Sequence, residues 1–324
     1  MNYRIILFYL FQLTFLSACS DSSSSKMGIF SMSVSDAPND AQIVNISFKQ
    51  VVLKGSDGSY TFDVSNDGEY QDIDLVSVSG LKVGNLVENE LINVGEYQLC
   101  IYMQNNEQEG VTDSSYVKEP EIDGGMIVGL STPSEGACGG GVGADDPDTG
   151  RLFINKKFTV SEGENSYILE FDLNKVLMEP TGQDTFWTLK PTGIELIEAG
   201  SIAGTISYTC GGNPHSVYLY PGDVEIDKMA DFRSVYTDAI APLDKVEATA
   251  IDPDNTESAY TYEFPAIYAG TYSLAYACPA DDDLIADDIA TGNVIFNLAE
   301  QVVEVVIAST TTVDFVDIEE DVVQ

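Results

Sequence analysis

Apolar residues recurring at every second position limit most strongly how this chain folds. Phe30, Met32 and Val34 alternate with small residues, and Val44, Ile46, Phe48 and, after Gln50, Val52 continue the pattern. Tyr60, Phe62 and Val64 repeat it, as do Tyr97, Leu99, Ile101 and Met103, then Tyr167, Leu169, Phe171 and Leu173. Successive side chains of an extended strand point to opposite faces, so each run reads as a strand with one buried face. Turn formers punctuate the runs at Asp36-Ala37-Pro38-Asn39-Asp40, Gly55-Ser56-Asp57-Gly58 and Asn66-Asp67-Gly68. Helical periodicity is scarce, and residues 224–232 read as a short helix or a loop. The pattern predicts an all-β protein made of two tandem β-sandwiches of immunoglobulin-like or prealbumin-like type.

A domain boundary is expected at Ala199-Gly200, dividing the body into residues 28–199 and 200–316, with an acidic tail at 317–324. The second part opens with Ile202, Gly204, Ile206 and Tyr208, and strands follow around 217–220, 246–251, 260–264, 272–278, 294–298, 302–307 and 312–315. That number of strands suits one small sandwich. Gly95-Glu96-Tyr97 and Gly270-Thr271-Tyr272 echo one another across the boundary. A glycine turn into a tyrosine-bearing strand reads as shared architecture rather than as a duplication.

Residues 5–16 are apolar apart from Gln12 and Thr14. The run is shorter than the roughly 20 residues that span a bilayer and fits the apolar part of an export signal. Leu16-Ser17-Ala18-Cys19 follows it directly. This arrangement resembles the lipobox of a bacterial lipoprotein, which implies removal of residues 1–18 and a lipid on Cys19. An ordinary secretory signal with an incidental cysteine is the alternative. Residues 19–27 then form a serine-rich tether. Ser20 stands where an Asp would retain an enterobacterial lipoprotein at the inner membrane, so the resemblance implies the outer membrane of a Gram-negative envelope.

Formal net charge is -39, from 14 basic and 53 acidic residues. Phosphate backbones and anionic headgroups are both repelled by such a chain, which argues against a nucleic-acid partner and leaves Cys19 as the membrane attachment. Besides Cys19, the cysteines are Cys100, Cys138, Cys210 and Cys278. An even remainder in an exported chain points to disulfides. Three connectivities are open; Cys100–Cys138 with Cys210–Cys278 is favoured because each pair lies inside one expected domain.

Residues 28–198 carry Val34-Ser35-Asp36-Ala37-Pro38, Val44-Asn45-Ile46, Ile73-Asp74-Leu75, Val94-Gly95-Glu96-Tyr97, Phe171-Asp172-Leu173 and Leu189-Lys190-Pro191. In order and spacing these resemble the DUF4382 family of bacterial exported domains. The resemblance implies a lipoprotein context and an all-β fold, and it brings no activity with it. Around 201–315, Ile202-Ala203-Gly204-Thr205-Ile206, Val217-Tyr218-Leu219-Tyr220, Tyr262-Glu263-Phe264 and Ala269-Gly270-Thr271-Tyr272 resemble the transthyretin-like or carboxypeptidase-regulatory sandwiches. Such modules are usually spacers or binding domains.

Asp63, Ser65, Asp67, Glu69 and Asp74 have the spacing of a calcium loop, with Gly68 at the sharp turn. Strand-like flanks and the hairpin signal Asn66-Asp67-Gly68 give the competing reading of a plain turn. Calcium is the one cofactor considered. The single histidine, His215, sits in Gly211-Gly212-Asn213-Pro214-His215 and is expected to be an exposed loop residue. The sequence carries neither a G-x-S-x-G nor an H-E-x-x-H motif, which disfavours an enzyme of those mechanisms. Gly139-Gly140-Gly141-Val142-Gly143 lacks the lysine of a phosphate loop. Trp187 is expected in the core rather than on a sugar-stacking surface. The expected function is non-enzymatic: a lipid-anchored module for binding or display of a glycan, a small ligand or a protein partner. The alternative is a carboxylate-dependent hydrolase acting on extracellular or envelope polysaccharide.

Overall fold

A computed structural model describes residues 26–36, 42–65, 70–120, 124–133, 138, 148–182, 185–207, 215–230, 240–252, 259–277 and 296–316. Residues 1–18, Cys19 and most of the tether lie outside these, as do Asp67, Glu69, the loop 139–143, Cys210, Cys278 and the tail at 317–324.

The chain is all-β. Its first strands are β1 (Met27–Asp36), β2 (Ile43–Gly55), β3 (Gly58–Asp63), β4 (Gln71–Asp74), β5 (Gly84–Asn93), β6 (Gly95–Gln104), β7 (Tyr116–Lys118) and β8 (Ile127–Ser131). There follow β9 (Thr149–Val160), β10 (Gly163–Phe171), a single helical turn α1 (Leu173–Val176), β11 (Leu177–Met178), β12 (Trp187–Leu189) and β13 (Ile194–Ser207). The last are β14 (Ser216–Pro221), β15 (Asp244–Glu247), β16 (Thr249–Ala250), β17 (Tyr260–Ile267), β18 (Gly270–Ala277), β19 (Phe296–Val305), β20 (Thr310–Thr312) and β21 (Phe315–Val316). In place of a helix at 224–232 the structure has one 3-10 turn, Ile226–Lys228.

Three sheets enclose two cores. One sheet runs β16-β17-β13-β10-β1-β5, with β20 and β21 also on β13; the second runs β11-β12-β8-β7-β2-β6-β9, with β3 and β4 on β2; the third runs β15-β14-β18-β19. The first core lies between the first two sheets and takes Phe30, Met32 and Val34 of β1, alternate residues of β6, and Tyr167, Leu169 and Phe171 of β10. Phe30 meets Phe62, Phe158 and Tyr167 with ring centroids 6.2, 5.9 and 5.9 Å apart, the spacing at which aromatic pairs attract. The second core lies between β13–β17 and the third sheet, around Ile202, Phe264, Tyr272, Leu274 and Phe315.

Two strands depart from simple alternation. In β2 the register with β6 shifts between Phe48 and Gln50, so Val44, Ile46 and Phe48 are followed into the first core by Val51 and Leu53. Val52, expected on that face, points the other way and packs with Cys100, Tyr102 and Cys138. A bulge adds one residue and inverts every side chain beyond it.

The second departure is β13, which runs unbroken through the expected boundary at Ala199-Gly200. Its residues 194–199 pair with β10 and residues 200–206 with β17. At about 3.3 Å per residue its 14 residues outreach one sandwich, so Ile194 and Leu196 serve the first core and Ile202 and Ile206 the second. Gly200 marks a close approach within the strand: a Cβ there would stand 2.5 Å from the carbonyl oxygen of Val306.

The recurrent family-like segments are structural pins. The Ser35 hydroxyl bonds the carbonyls of Val78 and Lys82 at 2.9 and 3.0 Å, and Asp36 Oδ1 accepts the Leu173 N–H at 3.2 Å. The two G-x-Y echoes are matching corners. Gly95 and Gly270 open β6 and β18, and the hydroxyls of Tyr97 and Tyr272 bond back to the carbonyls of Asn93 and Tyr268 at 2.6 and 2.8 Å. Both reproduce the tyrosine corner found in β-sandwiches.

Cys100 and Cys138 form a disulfide across a sequence separation of 38. Closing a loop of that length removes unfolded-state entropy worth about 4 kcal/mol. A Cys100→Ala/Cys138→Ala chain is therefore expected to unfold in denaturant with a stability lower by about that amount, an unchanged midpoint being the contrary result.

Candidate functional site

Where the two cores meet, β5 of the first faces β17 of the second across an open cleft of about 670 Å³. Sequence builds this meeting locally. The register of β1 with β5 jumps between Phe30–Glu90 and Met32–Val87, leaving Glu88 and Asn89 in a bulge, and Asn89 takes a φ of 52°, a conformation that Asn adopts more readily than most residues. Ser31 fixes the bulge, accepting the Asn89 N–H at 3.0 Å. The bulge turns the Asn89 amide outward, and its Nδ2 donates to Glu263 Oε2 of β17 at 2.8 Å.

Two further bonds tie the halves: Ser166 Oγ to the carbonyl of Pro265 at 2.7 Å, and the Tyr268 hydroxyl to Glu170 Oε2 at 2.8 Å. Beneath them Ile168, Ala199 and Ala266 form a small apolar cluster. The cleft therefore rests on a shared strand, three side-chain bonds and a buried seam.

Its walls are acidic, with Glu88, Glu247, Glu263 and Asp314 among the lining groups. Asp314 Oδ1 accepts both the N–H and the hydroxyl of Thr205 at 2.8 Å. Beside the cleft, burial and then the Glu263 charge raise the Glu164 carboxyl above its usual range. Burial also pushes Asp244 up to about 6, aided by Glu88 and opposed by the Lys245 N–H. Anions are repelled from such walls, while hydroxyl and ammonium groups find acceptors. Among the described residues no three His, Cys, Asp or Glu side chains converge as a metal site.

Of the calcium loop expected from the sequence, Asp63, Ser65 and Asp74 fall among the described residues. Asp63 pairs with Gln50 and Asp74 with Asn45 of the same strand, five positions or about 16 Å apart. Two carboxylates on one calcium lie within about 5 Å of each other. Asp63 instead accepts the N–H and hydroxyl of Ser65, and Asp74 Oδ1 accepts the N–H groups of Val44 and Val76 at 3.0 and 3.1 Å. Asp67 and Glu69 lie outside the described residues.

His215, expected in an exposed loop, is 1% exposed. Its ring sits 3.9 Å from that of Tyr260, and Nδ1 meets the Tyr276 hydroxyl at 2.8 Å. Burial lowers its pKa below the usual imidazole range. His215 immediately precedes β14, its carbonyl accepts the Ala248 N–H at 2.9 Å, and its ring packs against those of Tyr260 and Tyr276. Trp187 packs against the first core as expected. Asn89 was not singled out by sequence, because a polar pair such as Glu88-Asn89 inside a strand carries no visible mark of a bulge.

Residues 27–191 match the family model described as a domain of unknown function, DUF4382. No curated protein matches the chain. Among solved structures, a proposed cell adhesion protein from Bacteroides fragilis is 8% identical, covering 86% of this chain and 80% of its own, with a TM-score of 0.20. Another from Bacteroides ovatus is 11% identical over 90% of this chain and 92% of its own, with a TM-score of 0.21. The TIE protein of Bacillus anthracis is 10% identical over 90% of this chain and 50% of its own, with a TM-score of 0.17. Scores at this level carry no fold correspondence. The family match covers the first core except for Ile194 and Leu196 of β13, and on that match the chain belongs to the DUF4382 family.

Proposed function

We propose that the chain is a non-enzymatic binding or display module of the bacterial envelope, held at the outer membrane by a lipid on Cys19. Residues 28–199 and 200–316 act as two modules, the second of transthyretin-like type, on a serine-rich tether. The observation that carries binding is the junction cleft. Both halves contribute to its lining, and bonds from Asn89, Ser166 and Tyr268 tie those halves together. A rigid polar concavity loses little entropy on taking up a ligand. Two of its carboxylates are already committed, Glu263 to Asn89 and Asp314 to Thr205, which supports recognition over acid–base work.

The test is a thermal-shift screen of the full chain carrying Cys19→Ser, against glycans, peptides and small metabolites. A ligand at a hundred times its Kd raises stability by about 2.7 kcal/mol, a readily measured shift in midpoint. Release of new reducing ends from an added polysaccharide would overturn the non-enzymatic reading in favour of the hydrolase, and a blank screen would overturn the binding reading.

A further inference from the structure

A second cleft, of about 680 Å³, opens at the end of β6, where the loop after Gln104 meets Tyr70 and Asp148. This loop is firmly built. The Asn105 amide exchanges two bonds with the backbone of Thr132, at 2.9 and 3.3 Å, while its N–H donates to the Asp148 carbonyl at 2.7 Å. Asn106 donates its N–H to Leu130 at 3.0 Å, and its carbonyl accepts the Ser131 hydroxyl at 3.1 Å. Its Oδ1 accepts the Gln108 N–H at 2.9 Å.

Against this order, three buried polar atoms have no hydrogen-bond partner among the described residues: Gln104 Oε1, Asn106 Nδ2 and Thr132 Oγ1. Gln104 and Asn106 both line the cleft, and Asn106 is only 7% exposed. More than nine in ten buried polar groups are satisfied in folded proteins, and each exception is costly. An acceptor, a donor and a hydroxyl left open around one loop mark a place where a ligand completes the bonding.

The chemistry of the lining selects the ligand. Only Val111 and Tyr70 offer apolar carbon surface, too little for the side-chain pockets by which peptides are held. Glu107, Asp113 and Asp148 repel anions. Sugar hydroxyls donate and accept at once, so they suit a lining that offers both an open amide acceptor and an open amide donor. We propose that this amide-lined cleft binds a neutral glycan, an inference that rests on the reading of the protein as a binding module and gives that reading its ligand class.

The test is affinity electrophoresis of the full Cys19→Ser chain in gels containing galactomannan, xyloglucan, mixed-linkage glucan or dextran, with alginate as the anionic control. Retardation by at least one neutral polysaccharide and none by alginate is expected. Asn106→Asp keeps the acceptor for Gln108 and removes the open donor, and it should weaken binding at least tenfold, as should Gln104→Leu. Should either variant fold poorly, the Asn106 side-chain amide resonance of the parental chain is followed during titration with the matching oligosaccharide, and a shift is expected. Retardation that survives both substitutions, or an unmoved amide, overturns this site while the binding reading stands. If no neutral polysaccharide retards the chain, the ligand class is overturned; the wider reading then fails only if the thermal screen is blank as well.

Discussion

Gly204→Val should cost the second core about 5 kcal/mol and make it melt before the first. Gly204 lies in the half of β13 that pairs with β17 on one edge and with β20 and β21 on the other. A Cβ at this position would stand 1.7 Å from the carbonyl oxygen of Val313, which is backbone and has no side-chain freedom to move aside. The segment carrying β20 and β21 has to leave. With it go the Val313 N–H bond to Ala203 at 2.9 Å, the Tyr262 hydroxyl bond to the Val313 carbonyl at 2.7 Å, and both Thr205 bonds to Asp314. Overpacking contributes about 1–3 kcal/mol and each lost bond about 1. The single tryptophan, Trp187, packs on the first core and reports on it alone, whereas far-ultraviolet circular dichroism sees both. In urea the variant should show an early dichroism transition with Trp187 fluorescence following near the parental midpoint. A variant with parental stability would mean that β20 and β21 do not dock on this strand.

Most of the strands were legible because one face of each is buried and the chain spells that face at every second position. Phe30, Met32 and Val34 could be read in this way, as could Tyr97, Leu99, Ile101 and Met103, all of which enter the first core. The Cys100–Cys138 pairing was favoured on domain grounds and is present. What escaped is non-local. The bulge that sends Val52 away from the core is set by how β2 pairs with β6, and the parallel pairing of β1 with β10 joins residues more than a hundred apart. The continuity of β13 was hidden by Gly200, which has the composition of a break and the role of a close contact. The junction cleft was invisible for the same reason: Asn89 and Glu263 meet only once the sheet that carries both β5 and β17 has formed.

Cys19→Ser should transfer the protein completely from the membrane fraction to the soluble fraction. Among the described residues no helix is long and apolar enough to cross a membrane. A second, electrostatic attachment would need a basic patch of several Lys or Arg facing anionic headgroups, each worth about 1 kcal/mol near the surface. With 14 basic against 53 acidic residues, the field of this chain acts in the opposite direction. On the proposed reading, the lipid on Cys19 is then a purely hydrophobic anchor, at about 0.8 kcal/mol per buried methylene. Two consequences separate this attachment from peripheral adsorption. Washing parental membranes with 1 M salt, which shortens the Debye length to about 3 Å, should release none of the protein, because no attraction between charges is holding it. Detergent should release it all. The serine variant should appear in the supernatant without either treatment and carry the same thermal midpoint, since residue 19 precedes every described strand. A serine variant that still sediments with lipid, or a parental chain that salt removes, would show that the acidic body is held by something other than Cys19.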